Sequence, residues 1–211
     1  MNHSLSNKKQ GVILILGAII TGILYQSLPV VISNLTLLEI LGTFFNAVIM
    51  GIIAYLILKT EFFEWFMHFS FKWLLVGIPT LIIVGTVSSI FWATISGGHT
   101  ANSINGVLSW SYVIKNIPFM LLGEELLSIS ILYGAWKKWN WEFWQATLLC
   151  SILFAVWHLF SYDFNLLQCL VTIIPSRLVL NYLFKKSNSI WVTLTVHIVF
   201  DVFAFLPILL K

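Results

Sequence analysis

Residues 73–95 read WLLVGIPTLIIVGTVSSIFWATI and contain no Asp, Glu, Lys, Arg or His. A bilayer hydrocarbon core about 30 Å thick takes about 20 apolar residues of helix to cross, and in lipid each backbone amide must be paired within its own segment. The stretch is therefore expected to be a transmembrane helix. Similar stretches lie at approximately 11–33, 36–58, 113–136, 143–162, 164–184 and 189–210. Polar punctuation separates them: Ser33-Asn34, the run 59–72, Ser96 to Thr100, and Lys185 to Asn188. Composition agrees, because 59% of the 211 residues are hydrophobic and 9% charged, with a mean hydropathy of +0.96, whereas an ordinary soluble domain is about a quarter charged. A water-soluble globule is excluded. The expected fold is all-α, a polytopic transmembrane helix bundle of about seven spans, with residues 1–211 forming a single integral membrane domain. Only residues 161–165 separate the fifth and sixth stretches, which leaves six spans with a re-entrant piece as the alternative.

A net charge of +3 is too small and too scattered for a nucleic-acid-binding surface. The positions of the lysines matter more. With the N-terminus in the cytoplasm, Lys8, Lys9, Lys59, Lys72, Lys137, Lys138, Lys185 and Lys186 fall on the cytoplasmic side, leaving Lys115 and Lys211 outside. Trp136, Trp139, Trp141 and Trp144 collect at one of these boundaries, as an interfacial aromatic belt does. The first apolar run is longer than a signal-peptide core and is expected to be an uncleaved helix. Cys150 and Cys169 lie in apolar segments at different depths and read as small core residues. Gly11, Gly17, Gly22, Gly42 and Gly51 permit close helix packing, expected to be internal, and leave the oligomeric state open.

An ionisable side chain inside a span costs several kcal/mol, so each one present needs a buried partner or a function. Glu124 and Glu125 stand in the fourth stretch, His158 in the fifth, Arg177 in the sixth, and His197 with Asp201 in the seventh. Glu39, Lys115 and Asp163 lie nearer span ends, where they can snorkel or face water. His197 and Asp201 are four apart and share a helical face, while adjacent Glu124 and Glu125 point about 100° apart, so one can act while the other supports it. The set has the parts for water activation: a carboxylate base and donors for a developing oxyanion. Peptide hydrolysis is the simplest chemistry that fits. The same Glu and His residues are also legitimate zinc ligands, but the HExxH helix is absent. Metal-free catalysis without a cofactor is the expectation, and a zinc site the alternative.

The order Glu124-Glu125, then Phe154-Ala155-Val156-Trp157-His158, then His197-Ile198-Val199-Phe200-Asp201 resembles the EExxxR, FxxxH and HxxxN/D series of the CPBP family. That family comprises the CAAX proteases and the bacteriocin-processing and self-immunity enzymes. The resemblance covers about residues 110–205, a CPBP-like catalytic core. It implies an intramembrane endopeptidase acting on a membrane-associated peptide or protein, with a cavity reached largely from the cytoplasmic side. By similarity, Glu124 would be the base activating water with His158, His197 and Asp201 would stabilise the oxyanion, and Glu125 would support the site.

Two positions depart from the pattern. Ile129 stands where EExxxR has arginine, and Asp201 stands where many members have asparagine. Arg177 is the only arginine in the chain, and counting residues puts it within roughly 6 Å of the depth of Glu125, so it is the candidate replacement. Besides the protease, two other functions are consistent with the sequence. One is a bacteriocin self-immunity or regulatory protein on the same scaffold, with catalysis weak or lost. The other is a small transporter using Glu and His as a proton relay. Ten lysines to one arginine suggest an AT-rich coding genome, hence a bacterial plasma membrane.

Overall fold

The structure is a computed structural model that describes residues 5–211, which are helical throughout apart from turns and contain no strand. Six apolar helices in it are long enough to cross a membrane. They are α1 (Asn7–Val31), α2 (Leu35–Leu58), α4 (Phe71–Ser96), α6 (Ile117–Tyr133, continued by a π turn to Lys138), α8 (Leu166–Ser187) and α9 (Ile190–Leu209). Three shorter α-helices lie among the described residues: α3 (Thr60–Met67), α5 (Trp110–Lys115) and α7 (Phe143–Trp157). The molecule is an all-α integral membrane bundle.

The punctuation read from the sequence becomes helix caps. Asn34 and Ser189 accept the backbone N–H groups of Leu37 and Val192 at 3.0 and 3.4 Å, opening α2 and α9. Gly97, at φ 76°, closes α4 in a left-handed conformation while its N–H donates to Ala93. Glu142 and Gln145 form a reciprocal capping box that starts α7.

Three elements differ from expectation. The fourth stretch is broken at Asn116 into α5 and α6, with Pro118, which has no N–H to continue a helix, in the first turn of α6. The polar run 59–72 contains α3, an amphipathic helix whose Trp65 is fully buried. The fifth stretch is α-helical only to Trp157, and the 15 residues of α7 rise about 22 Å. Leu159 and Phe160 prolong the apolar run, but the backbone has already turned, reaching positive φ at Asp163 and Phe164.

The bundle has two unlike ends. At one, the Trp139 indole donates to the Lys8 carbonyl at 3.1 Å, Lys138 pairs with Glu61 at 2.7 Å, the Lys185 ammonium lies 4.2 Å from the Phe143 ring centre, and the Ser189 hydroxyl donates to the His68 carbonyl. These contacts gather Lys8, Lys9, Lys59, Lys72, Lys137, Lys138, Lys185 and Lys186 at the same end, as the sequence implied. Its interior is filled by Trp65, Leu132, Ala135, Phe184 and Ile190, each no more than 1% exposed. Trp65 meets Tyr133 and Phe184 edge-on at 5.4 and 6.0 Å between ring centres. The other end carries the turns 32–34, 97–109 and 158–165, joined by bonds from Gln26 to the Trp157 carbonyl and from Asn165 to Thr100.

The glycines of the first two helices pack internally. A side-chain carbon on Gly11, Gly22 or Gly17 would meet Trp139, Trp157 or Ile53 within 3.2 Å, whereas Gly42 faces open space.

Candidate active site in the bundle interior

The side chains singled out from the sequence converge between α6, α7, α8 and α9. Glu125 is fully buried, and both its oxygens are engaged. Arg177 donates from Nη1 to Oε1 at 2.7 Å and from Nη2 to Oε2 at 3.0 Å, a bidentate pair linking α8 to α6. His197 Nδ1 lies 2.9 Å from the same Oε1. A carboxylate held by a guanidinium accepts, so this ring nitrogen carries the proton. The cation that EExxxR would place one helical turn further along α6 thus comes from a neighbouring helix, and Ile129 is a fully buried apolar residue.

Behind this pair lies a polar network built from residues without charge. Arg177 Nε donates to Asn181 Oδ1 at 3.0 Å, and Asn181 Nδ2 donates to Thr147 Oγ1 at 2.8 Å. Cys150 donates to the Ser128 carbonyl at 3.2 Å. Phe154 closes the set, its ring 5.2 Å from the guanidinium carbon. Asn181 and Thr147 carry no charge to mark them in the sequence, and an amide inside the apolar stretch 164–184 is the available signal.

Glu124 has a different environment. It is half-buried and lines a cavity of about 780 Å³ together with His158, His197 and Asp201. Among the described residues, no side chain is hydrogen-bonded to its carboxylate. His158 caps the C-terminus of α7 and places Nδ1 2.8 Å from the Phe154 carbonyl. A carbonyl can only accept, so Nδ1 carries a proton, and in the neutral tautomer Nε2 is an acceptor. Phe154 lies between the imidazoles, its centre 4.6 Å from that of His158 and 6.3 Å from that of His197. His158 stands at the end of α7 and His197 within α9, and both line the cavity. Asp201 Oδ1 is 3.9 Å from His197 Nε2, beyond a direct hydrogen bond.

The structure therefore gives all five predicted residues, Glu124, Glu125, His158, His197 and Asp201, a place at this centre. Four of them line the cavity and Glu125 stands behind His197. Among the described residues, no three His, Cys, Asp or Glu side chains are grouped closely enough to hold a metal ion. Glu39, by contrast, is exposed and accepts a hydrogen bond from Asn116 at 3.0 Å.

The cavity runs away from the lysine end. Its wall includes Tyr25 and Gln26 late in α1, the loop residues His99 to Asn105, Tyr112, Tyr162, and Phe205 and Ile208 late in α9. Gln168 holds the loop in place by accepting from the Thr100 N–H at 2.8 Å and from the Trp92 indole at 3.1 Å, and by donating to the Thr100 carbonyl at 2.9 Å. The family resemblance implied a cytoplasmic mouth and the lysines a cytoplasmic end, and these two expectations fall on opposite ends of the bundle.

No curated protein and no solved structure matches the chain. Residues 106–203 match the family model described as Type II CAAX prenyl endopeptidase Rce1-like, and that segment contains Glu124, Glu125, His158, Arg177, His197 and Asp201. The match spans just under half of the chain and falls on the family that the motif residues resemble, the CPBP intramembrane proteases.

Proposed function

We propose that the protein is an intramembrane endopeptidase in which Glu124 activates water to hydrolyse a peptide bond. The observation that carries this reading is the unequal state of two adjacent carboxylates. Glu125 is locked by Arg177 and His197, whereas Glu124 lines the cavity beside two imidazoles and Asp201.

In this mechanism a water held between Glu124 and His158 Nε2 attacks the scissile carbonyl carbon. Glu124 takes the water's proton as the new C–O bond forms, and the carbonyl oxygen becomes an oxyanion. A doubly protonated His197 donates Nδ1–H to Glu125 and presents Nε2–H toward Asp201 and the cavity, where it stabilises that oxyanion. Asp201 helps as a donor only when protonated. As the C–N bond breaks, Glu124 returns the proton to the leaving amine, which balances the reaction. Positioned acid–base catalysis contributes about 10²–10⁴-fold and one oxyanion donor about 10²–10³-fold.

Glu125 and Arg177 act here as positioning residues: they fix the ring of His197 and do not touch the reacting atoms. Arg177 also bears on the alternative of a scaffold with lost catalysis, because the motif arginine absent at Ile129 has a counterpart in a cation that stands beside Glu125. The test is purified wild type and Glu124→Gln in detergent, matched by size-exclusion profile and incubated with an internally quenched peptide library. Cleavage by wild type alone supports the reading, and equal cleavage by both overturns it. Survival of activity in a chelator is expected for the metal-free mechanism, and its loss would favour zinc.

A further inference from the structure

We infer that the catalytic cavity opens to the non-cytoplasmic face of the membrane, so that its substrate is a polypeptide segment presented from that side. This rests on the protease reading for the nature of the substrate, but the direction of access stands on separate observations.

Eight of the ten lysines lie at one end of the bundle, tied together there by the Trp139–Lys8, Lys138–Glu61, Lys185–Phe143 and Ser189–His68 contacts. Lysines in short connections stay cytoplasmic, which makes this the inner end. It is sealed, because Trp65, Leu132, Ala135, Phe184 and Ile190 fill it and are no more than 1% exposed. α3 lies across it, fastened by the Glu61 carboxylate, which accepts from Lys138 and from the Tyr133 hydroxyl, each at 2.7 Å. A chain arriving from the lysine side would have to displace this packing.

At the opposite end the wall is open and differently made. There the wall includes Asn102, Ser103, Asn105 and Tyr112, amides and hydroxyls, together with the His99 imidazole. Such groups pair with the N–H and C=O groups of an extended peptide, which need partners once they leave water. Apolar Phe205 and Ile208 complete the wall, and Glu124 lies about 10 Å along α6 from its start at Ile117. Rim and floor thus suit an extended, partly apolar peptide segment entering from the outer side. A substrate tethered to the cytoplasmic leaflet would meet only the sealed end.

The test is cysteine accessibility in intact cells expressing the full chain. Ser103 is exposed at the rim and Lys9 at the lysine end, while native Cys150 and Cys169 are buried and give the wild-type background. With a membrane-impermeant maleimide, Ser103→Cys is expected to label in intact cells and Lys9→Cys only after permeabilisation. The reverse pattern, or labelling of both positions only after permeabilisation, overturns the inference. A parallel arm uses purified protein: maleimide on Ser103→Cys should abolish cleavage of the quenched peptide, and full activity after complete labelling would contradict entry at this rim. If topology comes out as expected but wild type cleaves nothing, the protease reading fails and the access direction stands.

Discussion

Replacing Arg177 with methionine probes the joint on which the site depends. Arg177 and Glu125 are both completely buried. The substitution removes two bonds to the carboxylate, at 2.7 and 3.0 Å, and one to Asn181 at 3.0 Å, while keeping most of the side-chain volume. Glu125 is then left with His197 as its sole partner among those bonds. Stranding one member of a buried ion pair costs about 3–5 kcal/mol, whereas exchanging the whole pair for apolar residues is often neutral or better. The expected pattern is a loss of about 3–5 kcal/mol in Arg177→Met and substantial recovery in Arg177→Met/Glu125→Met. The double variant should remain inactive, because His197 has lost the acceptor that fixes its ring. Denaturation in mixed micelles, followed by tryptophan fluorescence, reads the stability. An Arg177→Met protein within about 1 kcal/mol of wild type, or a double variant no more stable than the single, would refute the reasoning. Charge exchange gives a second check: Arg177→Glu should be partly rescued by Glu125→Arg.

Other outcomes follow from the same geometry. Gly123→Ala should destabilise by about 1–3 kcal/mol, since its new carbon would lie 2.8 Å from the Ala47 backbone nitrogen and drive α6 from α2, whereas Gly42→Ala, inside α2 with nothing within 4 Å, should be no less stable than wild type in the same melting assay. Gln168→Ala should cost about 1–3 kcal/mol by releasing the loop at Thr100, and should raise hydrogen exchange across residues 97–106 while leaving that of α3 unchanged. Burial raises the pKa of Glu61, but hydrogen bonds from Lys138 and Tyr133 and the Lys138 charge outweigh it and hold the carboxyl below its ordinary value. A depressed carboxylate stabilises the fold above the ordinary carboxylate pKa, and that contribution is lost as pH falls through the folded value. Melting temperature should therefore drop on acidification less steeply in Glu61→Gln than in wild type, and identical slopes would show that this anchor of α3 does not act.

Much of this structure was legible because lipid is an intolerant solvent. Charges are costly there, so the few that remain in spans, Glu124, Glu125, His158, Arg177, His197 and Asp201, point to one another in the sequence alone. Counting 1.5 Å per residue was enough to suggest the Arg177–Glu125 pair, because both stand on regular helices. The end of α7 was not legible: Leu159 and Phe160 continue its apolar run, and hydropathy does not register a backbone turn. α3 was hidden in the polar run 59–72, since lysines and glutamates flank the aromatic face that Trp65 buries. Asn181 and Gln168 escaped because neutral amides carry no charge to flag them. The direction of the cavity depends on how side chains fill each end, and spacing along a helix gives depth but not voids.

The central claim is that adjacent glutamates hold different offices, Glu124 at the reacting atoms and Glu125 behind His197. It is tested most directly by measuring turnover and unfolding stability together for Glu124→Gln and Glu125→Gln. Glu124→Gln should lose about 10²–10⁴-fold in kcat with stability near wild type, as removal of a general base does. Glu125→Gln should lose both activity and stability, because its amide cannot hold Arg177 and His197 as the carboxylate does. Retained turnover in Glu124→Gln, or the reverse division between the two variants, would contradict the assignment.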